Sequence, residues 1–482
     1  MALIQILDGF IQKLSANPLL ATFGIDQNHS NPGKAILVRN RGRSADNVCV
    51  LLHNEAAVGT LLQKTEPVGS RLIPSRESIQ PQASRNVFFS HHTNAHQKVP
   101  KDCKLCNRIR KTVKQPASGS STIARQFVAK DRRSYFVMPG NLTSIEDVSQ
   151  LEDVLSEPSE GAIRTLGELG GDILVLGVGG KMGPTLARMA KRASDAAGRK
   201  RRVIGVARFS SADLESHLRA WGIEAVRSDL LNRSSLATLP DAENVIFMAG
   251  MKFGSTGQEW LTWAINTFLP GLVADRYRHS RIAVFSTGNV YGLSPIHNGG
   301  SREDDALNPT GEYAMSCVGR ERIFEHFSRV SSTKMTILRL NYASELRYGV
   351  LLDIAQRVHA GKSVSLSMGY LNTIWQADAS ATSLESLACA TSPPNVINIT
   401  GPELLSVRSI AEEFGKRLGK SVRFEGAESK DALLSNAEKC NQLFGPPRIS
   451  SKQMIDWIAE WVKKNGTTLA KPTHFEERAG QF

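Results

Sequence analysis

The chain has 482 residues, of which 41% are hydrophobic and 22% are charged, a composition typical of a globular protein with a substantial core. Residues 1–137 carry 20 Lys and Arg residues against 8 Asp and Glu residues, so +12 of the net charge of +13 lies in this leader. Residues 138–482 are nearly neutral, and nucleic acid is therefore not their expected partner. No apolar run approaches the length of about 18 residues that would predict a membrane span. Six cysteines in so long a chain do not suggest a disulfide framework, which makes the reducing cytoplasm the expected location.

Residues 1–142 form a basic, polar extension without sustained helical or strand periodicity, and the extension is predicted to be largely disordered. Two apolar patches, Ala35–Val38 and Val48–Leu52, are candidate strands without an evident partner. A nearby group of possible zinc ligands contains one Cys-x-x-Cys pair but no second pair. Its members are His91, His92, His96, Cys103 and Cys106. We favour unliganded side chains over a structural zinc site for this group. Regular patterning begins after Met138, so a working protein that starts there is one hypothesis.

From residue 143 the sequence is patterned as an α/β domain. Apolar residues recur at helical spacing from Ser144, the expected N-cap, to Leu155, and a short helix is predicted over 161–169. The apolar run 172–176 then has the length and composition of a buried strand. Two leading helices and a first strand are therefore expected before the strongest motif of the chain.

That motif is a glycine-rich turn at 177–183, which lies between the apolar run 172–176 and a helical pattern. Its first glycine suits a sharp turn, its second lets the backbone approach a pyrophosphate, and its last lets the helix pack closely on the strand. The helix N-terminus would offer unpaired N–H groups to phosphates. The motif predicts a dinucleotide site, although similar turns occur without a ligand. The residues assigned to the cofactor here are Gly177, Gly180, Lys181, Met182 and Gly183.

Short apolar strands alternate with helices downstream, which predicts a parallel sheet covered on both faces, the doubly wound Rossmann arrangement of an α/β protein. The expected strands are 202–207, 224–226, 244–249, 281–286 and 335–340, and the expected helices are 212–221, 259–276 and 314–329. This dinucleotide-binding domain is placed at 143–345. A smaller C-terminal substrate lobe is placed at 346–465, with helices near 350–360, 407–418 and 451–464 and short strands near 363–366 and 395–399. An irregular tail, 466–482, follows.

Residues that follow three of the predicted strands are further candidates for binding the cofactor, because ligands of open parallel sheets lie at the carboxyl ends of the strands. The second strand ends at Arg208, where no carboxylate is present for a ribose hydroxyl; the guanidinium favours NADP over NAD, and a solvated surface arginine is the alternative. Asp229 and Leu230 follow the third strand and are placed to contact the adenine. Ala249 and Gly250 end the fourth strand with small side chains that let the cofactor pass.

The later strand ends complete a set of ordered motifs. The fifth strand leads to Thr287, the tripeptide Val-Tyr-Gly follows at 290–292, Tyr313 begins a helical segment, and Leu-Arg-Leu ends the sixth strand at 338–340. With the glycine turn and the Asp-Leu pair, this order resembles the NAD-dependent epimerase/dehydratase family of extended short-chain dehydrogenases/reductases, over about residues 170–465. The resemblance implies NADP or NAD as cofactor and a small molecule, a nucleotide sugar or a related polyol, as substrate.

The resemblance also implies that Thr287 hydrogen-bonds the substrate oxygen, that Tyr313 is the acid/base, and that a lysine stands four residues later. Here that position is Cys317, whose neutral thiol neither lowers the pKa of a phenol nor holds a ribose as a lysine does. Three interpretations stay open: another cation, Arg320 or Lys252, replaces the lysine; Cys317 is a nucleophile or redox thiol in a different reaction; or the fold is a non-catalytic sensor or scaffold. For Cys317 itself, a small packed side chain is favoured over a reactive one.

The expected reaction is epimerisation or oxidoreduction by hydride transfer, and no metal is predicted. Dehydration is disfavoured, because Gly288 and Asn289 stand where dehydratases of the family usually carry an acid pair. Tyr291 is open to a packing or a functional interpretation.

The substrate lobe and the assembly are predicted less sharply than the glycine turn. The segments Gly349–Ala360 and Asn372–Asp378 are expected to line the substrate cleft, with Asp378 as a helix N-cap rather than a catalyst. The resemblance implies that a homodimer could form through the two long helices after the fourth and fifth strands.

Overall fold

A computed structural model of the chain describes residues 142–210 and 212–481, together with three short strands nearer the N-terminus. These strands are β1 (Phe23–Ile25), β2 (Ile36–Asn40) and β3 (Val48–Leu51), and they form an antiparallel sheet. Both apolar patches are therefore strands, and each is the partner of the other. The other predictions for residues 1–141 (disorder, the group of His and Cys residues and a start at Met138) lie outside the described residues.

A seven-stranded parallel sheet forms the centre of residues 142–481. Its strands are β4 (Ile173–Leu176), β5 (Val203–Ala207), β6 (Glu224–Arg227), β7 (Asn244–Phe247), β8 (Arg281–Thr287), β9 (Met335–Leu340) and β10 (Asn395–Ile399). Their spatial order is β10-β9-β8-β7-β4-β5-β6, so the chain first builds outward from β4 in one direction and then returns to build in the other. The predicted doubly wound parallel sheet is confirmed.

Thirteen α-helices are found in the described residues. They are α1 (Val148–Leu155), α2 (Glu160–Glu168), α3 (Gly183–Ala196), α4 (Ala212–Ala220), α5 (Arg233–Ala237), α6 (Glu259–Trp263), α7 (Leu269–Arg276), α8 (Gly311–Ser331), α9 (Val350–His359), α10 (Gln376–Ser386), α11 (Val407–Leu418), α12 (Glu438–Phe444) and α13 (Ser451–Lys463). None of the described helices is long and apolar enough to cross a membrane.

Helices cover both faces of the sheet because its strands are apolar on both faces. Ile173 and Val175 of β4 belong to a core that includes Leu186 of α3, whereas Leu174 and Leu176 belong to a second core, shared with α7 and α8. Successive side chains of a strand point to opposite faces, so one short strand contributes to both layers.

Two boundaries differ from the sequence-based expectation. Helix α1 begins at Val148, because Asp147 is its N-cap and accepts a hydrogen bond from the backbone N of Gln150 (2.8 Å); Ser144 donates to Glu146 instead. The strand expected at 395–399 belongs to the central sheet and not to the smaller lobe, since it pairs in parallel with β9. A short apolar run carries no local signal for which sheet it will join, and long-range pairing decided this one.

The segment predicted to form the smaller lobe contains α9, α11 and α13, which pack against one another beside short two-residue strands. Residues 466–481 contain no helix or strand, as expected, but they are not loosely attached. Thr473 and Phe475 are 3% and 2% exposed, so the tail is packed on the lobe.

Candidate functional site

The glycine turn between β4 and α3 has the geometry that its spacing predicts. Gly177 has φ +91°, a left-handed conformation that suits glycine, and an added Cβ would lie 2.7 Å from the backbone N of Ala249. An added Cβ on Gly183 would collide with the carbonyl of Val178, which explains the close packing of α3 on the strand. At Gly180 the nearest atom to an added Cβ would be 3.5 Å away, so the middle of the turn leaves room for a ligand.

Helix α3 begins without a side-chain cap. Its N-cap, Met182, makes no capping hydrogen bond, and Pro184 in the first turn has no N–H to satisfy. The first-turn amides are thus available to an anion, as in other dinucleotide sites. The turn and the helix start together fit a pyrophosphate.

Lys181, also in the turn, extends away from the sheet toward aromatic rings. Its amine lies 3.4 Å from the ring centroid of Tyr348 and 4.2 Å from that of Phe253. Burial lowers the pKa of this amine to about 7, with further lowering by the charges of Lys471 and Lys252. The lysine expected to meet the cofactor is therefore one of several cations in the cleft.

The residues predicted to lie on the adenine side of the cofactor are at the ends of β5 and β6. Arg208 is exposed, and its carbonyl accepts a hydrogen bond from Arg227 (2.7 Å). Asp229 is exposed and accepts a hydrogen bond from the backbone N of Leu231 (3.1 Å), whereas Leu230 is part of the core. Sequence reasoning did not single out Ser228, whose hydroxyl is buried and finds no hydrogen-bond partner among the described residues. A buried hydroxyl without a protein partner can receive a hydrogen bond from a bound water, ion or ligand.

Ala249 and Gly250 connect the glycine turn to the catalytic candidates. The backbone of Ala249 touches Gly177, and an added Cβ on Gly250 would lie 2.7 Å from the guanidinium of Arg320. These contacts require glycine at 177 and at 250, and the prediction that small residues at 249 and 250 let the cofactor pass stays a prediction.

The three catalytic candidates lie together at the carboxyl end of β8. Thr287 ends this strand, and Tyr313 and Cys317 lie one helical turn apart in α8. The Tyr313 hydroxyl is hydrogen-bonded to both Thr287 and Cys317. Thr287 also bonds Asn289 (Oγ1 to Oδ1, 2.9 Å), which fixes the rotamer of the threonine. We refer to Thr287, Tyr313 and Cys317 as the tyrosine cluster.

Both acidic protons of this cluster are firmly held. Burial raises the pKa of Tyr313 far above its usual range, and Cys317 raises it further, while Arg320 and the Thr287 hydrogen bond oppose the rise. Burial also raises the pKa of the Cys317 thiol, whose side chain has no exposed surface. A buried neutral thiol is a poor nucleophile, which favours the packing interpretation of Cys317.

The two candidate cations approach the tyrosine cluster from different elements. Arg320 is 5% exposed and donates hydrogen bonds to the Phe285 carbonyl (2.8 Å) and to Asn266 Oδ1 (2.6 Å), so its guanidinium is committed to the backbone and to one side chain. The amine of Lys252 lies 5.6 Å from the ring centroid of Tyr313. Burial lowers the pKa of Lys252 to about 8, and Cys317 opposes this change.

Asn266 is a site residue that sequence reasoning missed. It is fully buried, and its amide donates to the Met251 carbonyl (2.8 Å) and accepts from the Met251 N (2.9 Å), which fixes the loop just before Lys252. The predicted helix 259–276 is in fact α6, a π-helix at Ala264–Phe268, and α7. Pro270 was the sequence signal for this break in the α-helix, because proline has no N–H to donate to the carbonyl of Asn266, four residues earlier. That carbonyl accepts a hydrogen bond from Arg320 instead (3.4 Å).

Tyr291 belongs to a buried network rather than to the tyrosine cluster. Its hydroxyl donates to Asn398 Oδ1 (2.7 Å) and accepts from Arg339 (2.7 Å), and Arg339 is paired with Glu321 (2.7 Å). Because two protein groups satisfy the hydroxyl, the packing interpretation is favoured for this residue.

Asp378 is not an N-cap, contrary to expectation. Helix α10 is capped by Trp375, and Asp378 lies in its first turn, where the carboxylate accepts from Arg448 Nε (2.7 Å) and the Ile449 N (3.0 Å). The carboxylate thus fixes a distant loop, a tertiary contact that local pattern does not reveal. In the described part of the chain no group of His, Cys, Asp or Glu residues is arranged to hold a metal ion.

Comparison with known proteins agrees with this geometry. Residues 173–372 match the model of the NAD dependent epimerase/dehydratase family. No curated protein matches the chain.

Three solved structures with the same fold show how far the likeness extends. UDP-glucuronic acid 4-epimerase from Bacillus cereus is 18% identical, with a TM-score of 0.51 over 61% of this chain and 99% of its own. UDP-glucose 4-epimerase from Thermotoga maritima is 17% identical, with a TM-score of 0.51 over 61% and 99%. dTDP-glucose 4,6-dehydratase from Bacillus anthracis is 16% identical, with a TM-score of 0.53 over 61% and 97%. At these identities the likeness concerns the fold.

Proposed function

Residues 173–372 of this chain belong to the NAD-dependent epimerase/dehydratase family, and on that premise we propose that the protein is an NADP- or NAD-dependent epimerase or oxidoreductase. Its substrate is a nucleotide sugar or a related polyol. The observation that carries the proposal is the hydrogen-bonded tyrosine cluster, located on the same edge of the sheet as the glycine turn. The Bacillus cereus epimerase was solved with UDP-glucuronic acid and NAD, which supports this class of ligands. The cytoplasm is the proposed location.

The cofactor would be held by groups that the fold leaves available. These are the open middle of the glycine turn at Gly180, the uncapped amides at the start of α3, and the hydroxyl of Ser228. A bound dinucleotide supplies the carbon that accepts and returns the hydride. The protein's own part is then to orient the substrate and move one proton.

Tyr313 moves that proton. In the protonated form favoured by burial it can donate to a carbonyl oxygen of the substrate, and Thr287 orients the same oxygen. In the reverse direction Tyr313 must become a phenolate, which needs a nearby positive charge. Lys252, 5.6 Å from the ring, is the proposed source of that charge, and Arg320 holds its loop in place through Asn266.

Dehydration is disfavoured for this site. Gly288 and Asn289 follow Thr287, and the Asn289 amide is bound to Thr287. No carboxylate stands beside the threonine in the sequence to assist elimination of water. An epimerase or oxidoreductase uses the tyrosine cluster without such an acid.

The second candidate function is a dinucleotide-binding sensor without turnover. The raised pKa of Tyr313 and its direct hydrogen bond to Cys317 favour it, because both hold the phenol in its neutral form. Incubation of the purified protein with NADP or NAD and a panel of nucleotide sugars, followed by chromatography of the sugars, separates the two functions. Conversion or oxidation of a sugar supports the enzyme, whereas tight dinucleotide binding with no change in any sugar supports the sensor.

Arg208 is proposed to select NADP. It stands exposed at the end of β5, where an arginine can bind the 2′-phosphate in a charge-assisted contact. Arg208→Ala is expected to weaken NADP binding by roughly tenfold and to leave NAD binding within about twofold. Isothermal titration of both cofactors measures this. Equal losses for both, or none for either, would remove Arg208 from the site.

A second copy of the chain is proposed to cover the apolar face formed by α6, the π-helix that follows it, α7 and α8. Trp260 and Phe268 are 72% and 50% exposed on this face, which borders an open groove of about 1110 Å³ that Ile323 and Phe327 also line. Trp260→Glu is expected to shift the protein from dimer to monomer in sedimentation velocity, because a charge would be buried in the interface.

Leu404→Glu provides the matched control for this prediction. Leu404 is also 50% exposed but does not line the groove, so its replacement should leave the dimer intact. A monomeric wild type, or a dimer that survives Trp260→Glu, would contradict the proposed assembly.

A further inference from the structure

Ser286, the residue before Thr287, is tied to the helix that carries Tyr313. Its hydroxyl donates to Glu321 Oε1 (2.6 Å), and Glu321 lies in α8, one helical turn after Cys317. Both ends of this hydrogen bond are buried, since Ser286 is 7% and Glu321 3% exposed. The bond therefore joins the strand that supplies one member of the tyrosine cluster to the helix that supplies the other two.

Arg339 holds the Glu321 carboxylate in one orientation. Its Nε donates to Oε1 (3.0 Å) and its Nη2 to Oε2 (2.7 Å), so two hydrogen bonds join the guanidinium to the carboxylate. Arg339 lies directly opposite Ser286 in the parallel pairing of β9 with β8. Neighbouring strands therefore present the arginine and the serine to the same carboxylate of α8.

The same guanidinium fixes the segment on the other side of Thr287. Nη1 of Arg339 donates to the Tyr291 hydroxyl (2.7 Å) and to the Glu303 carbonyl (3.1 Å). Tyr291 ends the short 3₁₀-helix that begins directly after Thr287. Thr287 thus lies between two anchored residues, Ser286 and Tyr291, and both anchors lead to the Arg339 side chain.

Stability alone is a poor explanation for this buried pair. Arg339 and Glu321 are 5% and 3% exposed, and the loss of hydration of two buried charges offsets most of their attraction. The pair specifies what two apolar side chains would not, namely a direction for each hydrogen bond and hence the spacing between β8 and α8. Proton transfer depends on such spacing, because a displacement of about 1 Å can lower a rate by about 10²-fold.

We propose that Glu321 is a positioning residue of the tyrosine cluster. Through Ser286 it holds Thr287 at hydrogen-bond distance from Tyr313, and Arg339 keeps its carboxylate in place. The effect on catalysis rests on the proposed function, because it concerns the proton that Tyr313 would move. The spacing itself is a property of the fold, and it can be measured without turnover.

The test uses Ser286→Ala in the full chain, which removes the link and retains the Arg339–Glu321 pair. Ser328→Ala is the matched control, since it also removes one buried hydroxyl of the β8–α8 region: Ser328 donates to the Thr333 carbonyl (2.7 Å) near the other end of α8. Ser286→Thr retains the hydroxyl on a side chain that suits a strand. Thermal unfolding measures the stability of each variant, and kcat is compared well below every unfolding transition.

Ser286→Ala is expected to lower kcat by roughly tenfold to 10²-fold, because Thr287 and Tyr313 would lose their fixed spacing. Dinucleotide affinity should stay within about twofold of wild type, since the link lies in the tyrosine cluster and not in the glycine turn. Ser328→Ala should keep the wild-type kcat, and Ser286→Thr should recover most of it. An active wild type whose kcat is unchanged by Ser286→Ala would overturn the inference.

The infrared S–H stretching band of Cys317 provides a second measurement that needs no turnover. Cys317→Ala assigns the band, and the hydrogen bond between Cys317 and Tyr313 makes its frequency sensitive to the geometry of the cluster. The band should shift in Ser286→Ala and not in Ser328→Ala. If it shifts but the wild type converts no nucleotide sugar, the positioning contact stands and the proposed function fails. If it does not shift in Ser286→Ala, Glu321 does not position the cluster.

Discussion

Tyr313→Phe is expected to lower kcat by about 10²- to 10⁴-fold while dinucleotide affinity stays within about twofold of wild type. The substitution removes one hydroxyl, which is the only atom of this side chain that can move a proton. The hydroxyl is also hydrogen-bonded to Thr287 and Cys317, so these partners lose a contact, but the phenyl ring keeps its packing. Turnover is measured with whichever nucleotide sugar the wild type converts, and affinity by titration of the cofactor.

Tyr277→Phe is the matched control for this experiment. Tyr277 is also buried, and its hydroxyl donates to the Pro240 carbonyl (3.1 Å), away from the tyrosine cluster. Loss of that bond should cost about 1 kcal/mol of stability and leave kcat unchanged. A Tyr313→Phe protein with wild-type turnover would show that another group moves the proton, and no detectable activity in either protein would favour the sensor.

Local sequence signals were sufficient to predict the framework of the site. The glycine turn at 177–183 is readable because each glycine meets a steric demand that a side chain would violate, and the structure shows two of those contacts. All seven sheet strands were predicted as strands because they are short and apolar, and six of them were assigned to the sheet; the seventh, 395–399, was assigned to the smaller lobe. Thr287 and Tyr313 could be predicted because one follows a recognisable strand and the other begins a recognisable helix. The structure joins them by a hydrogen bond.

Residues positioned by long-range contacts were missed. Thr473 of the tail donates to Asp353 of α9, 120 residues away, and nothing in the tail sequence indicates that contact. Asp378 resembled a helix cap in sequence, but Arg448, 70 residues away, bonds its carboxylate. Such contacts depend on which surfaces meet after folding, and periodicity within one segment contains no information about them.

In the proposed mechanism Lys252 supplies the positive charge that a lysine at position 317 would otherwise supply. Replacement of the expected lysine by Cys317 leaves α8 without a charge one turn after Tyr313. The amine of Lys252 approaches the same ring from the loop after β7, and it acts on Cys317 as well, since it opposes the rise in the pKa of the thiol. Tyr313, Cys317 and Lys181 are among the titratable groups that interact with this amine.

Lys252→Met is expected to lower kcat by about 10²-fold, because the phenolate of Tyr313 would lose the positive charge that we propose Lys252 supplies. A lysine is cationic below its pKa, and burial places that of Lys252 at about 8, so the wild-type rate should fall as the pH rises through about 8. Lys252→Arg should preserve most of kcat and move the fall to higher pH, since a guanidinium stays charged there. The measurement is the pH dependence of kcat for the three proteins.

The Arg variant separates loss of the positive charge from loss of the lysine side chain, because a guanidinium retains the charge. Cys317→Lys in the Lys252→Met background supplies a second comparison: it returns a cation to the helical turn after Tyr313 and should recover part of kcat, provided thermal unfolding shows an intact fold. If Lys252→Met keeps both the wild-type kcat and the fall in rate near pH 8, Lys252 is not the cation that serves Tyr313. Arg320, which is hydrogen-bonded to Phe285 and Asn266, would then be the candidate for stabilising the Tyr313 phenolate.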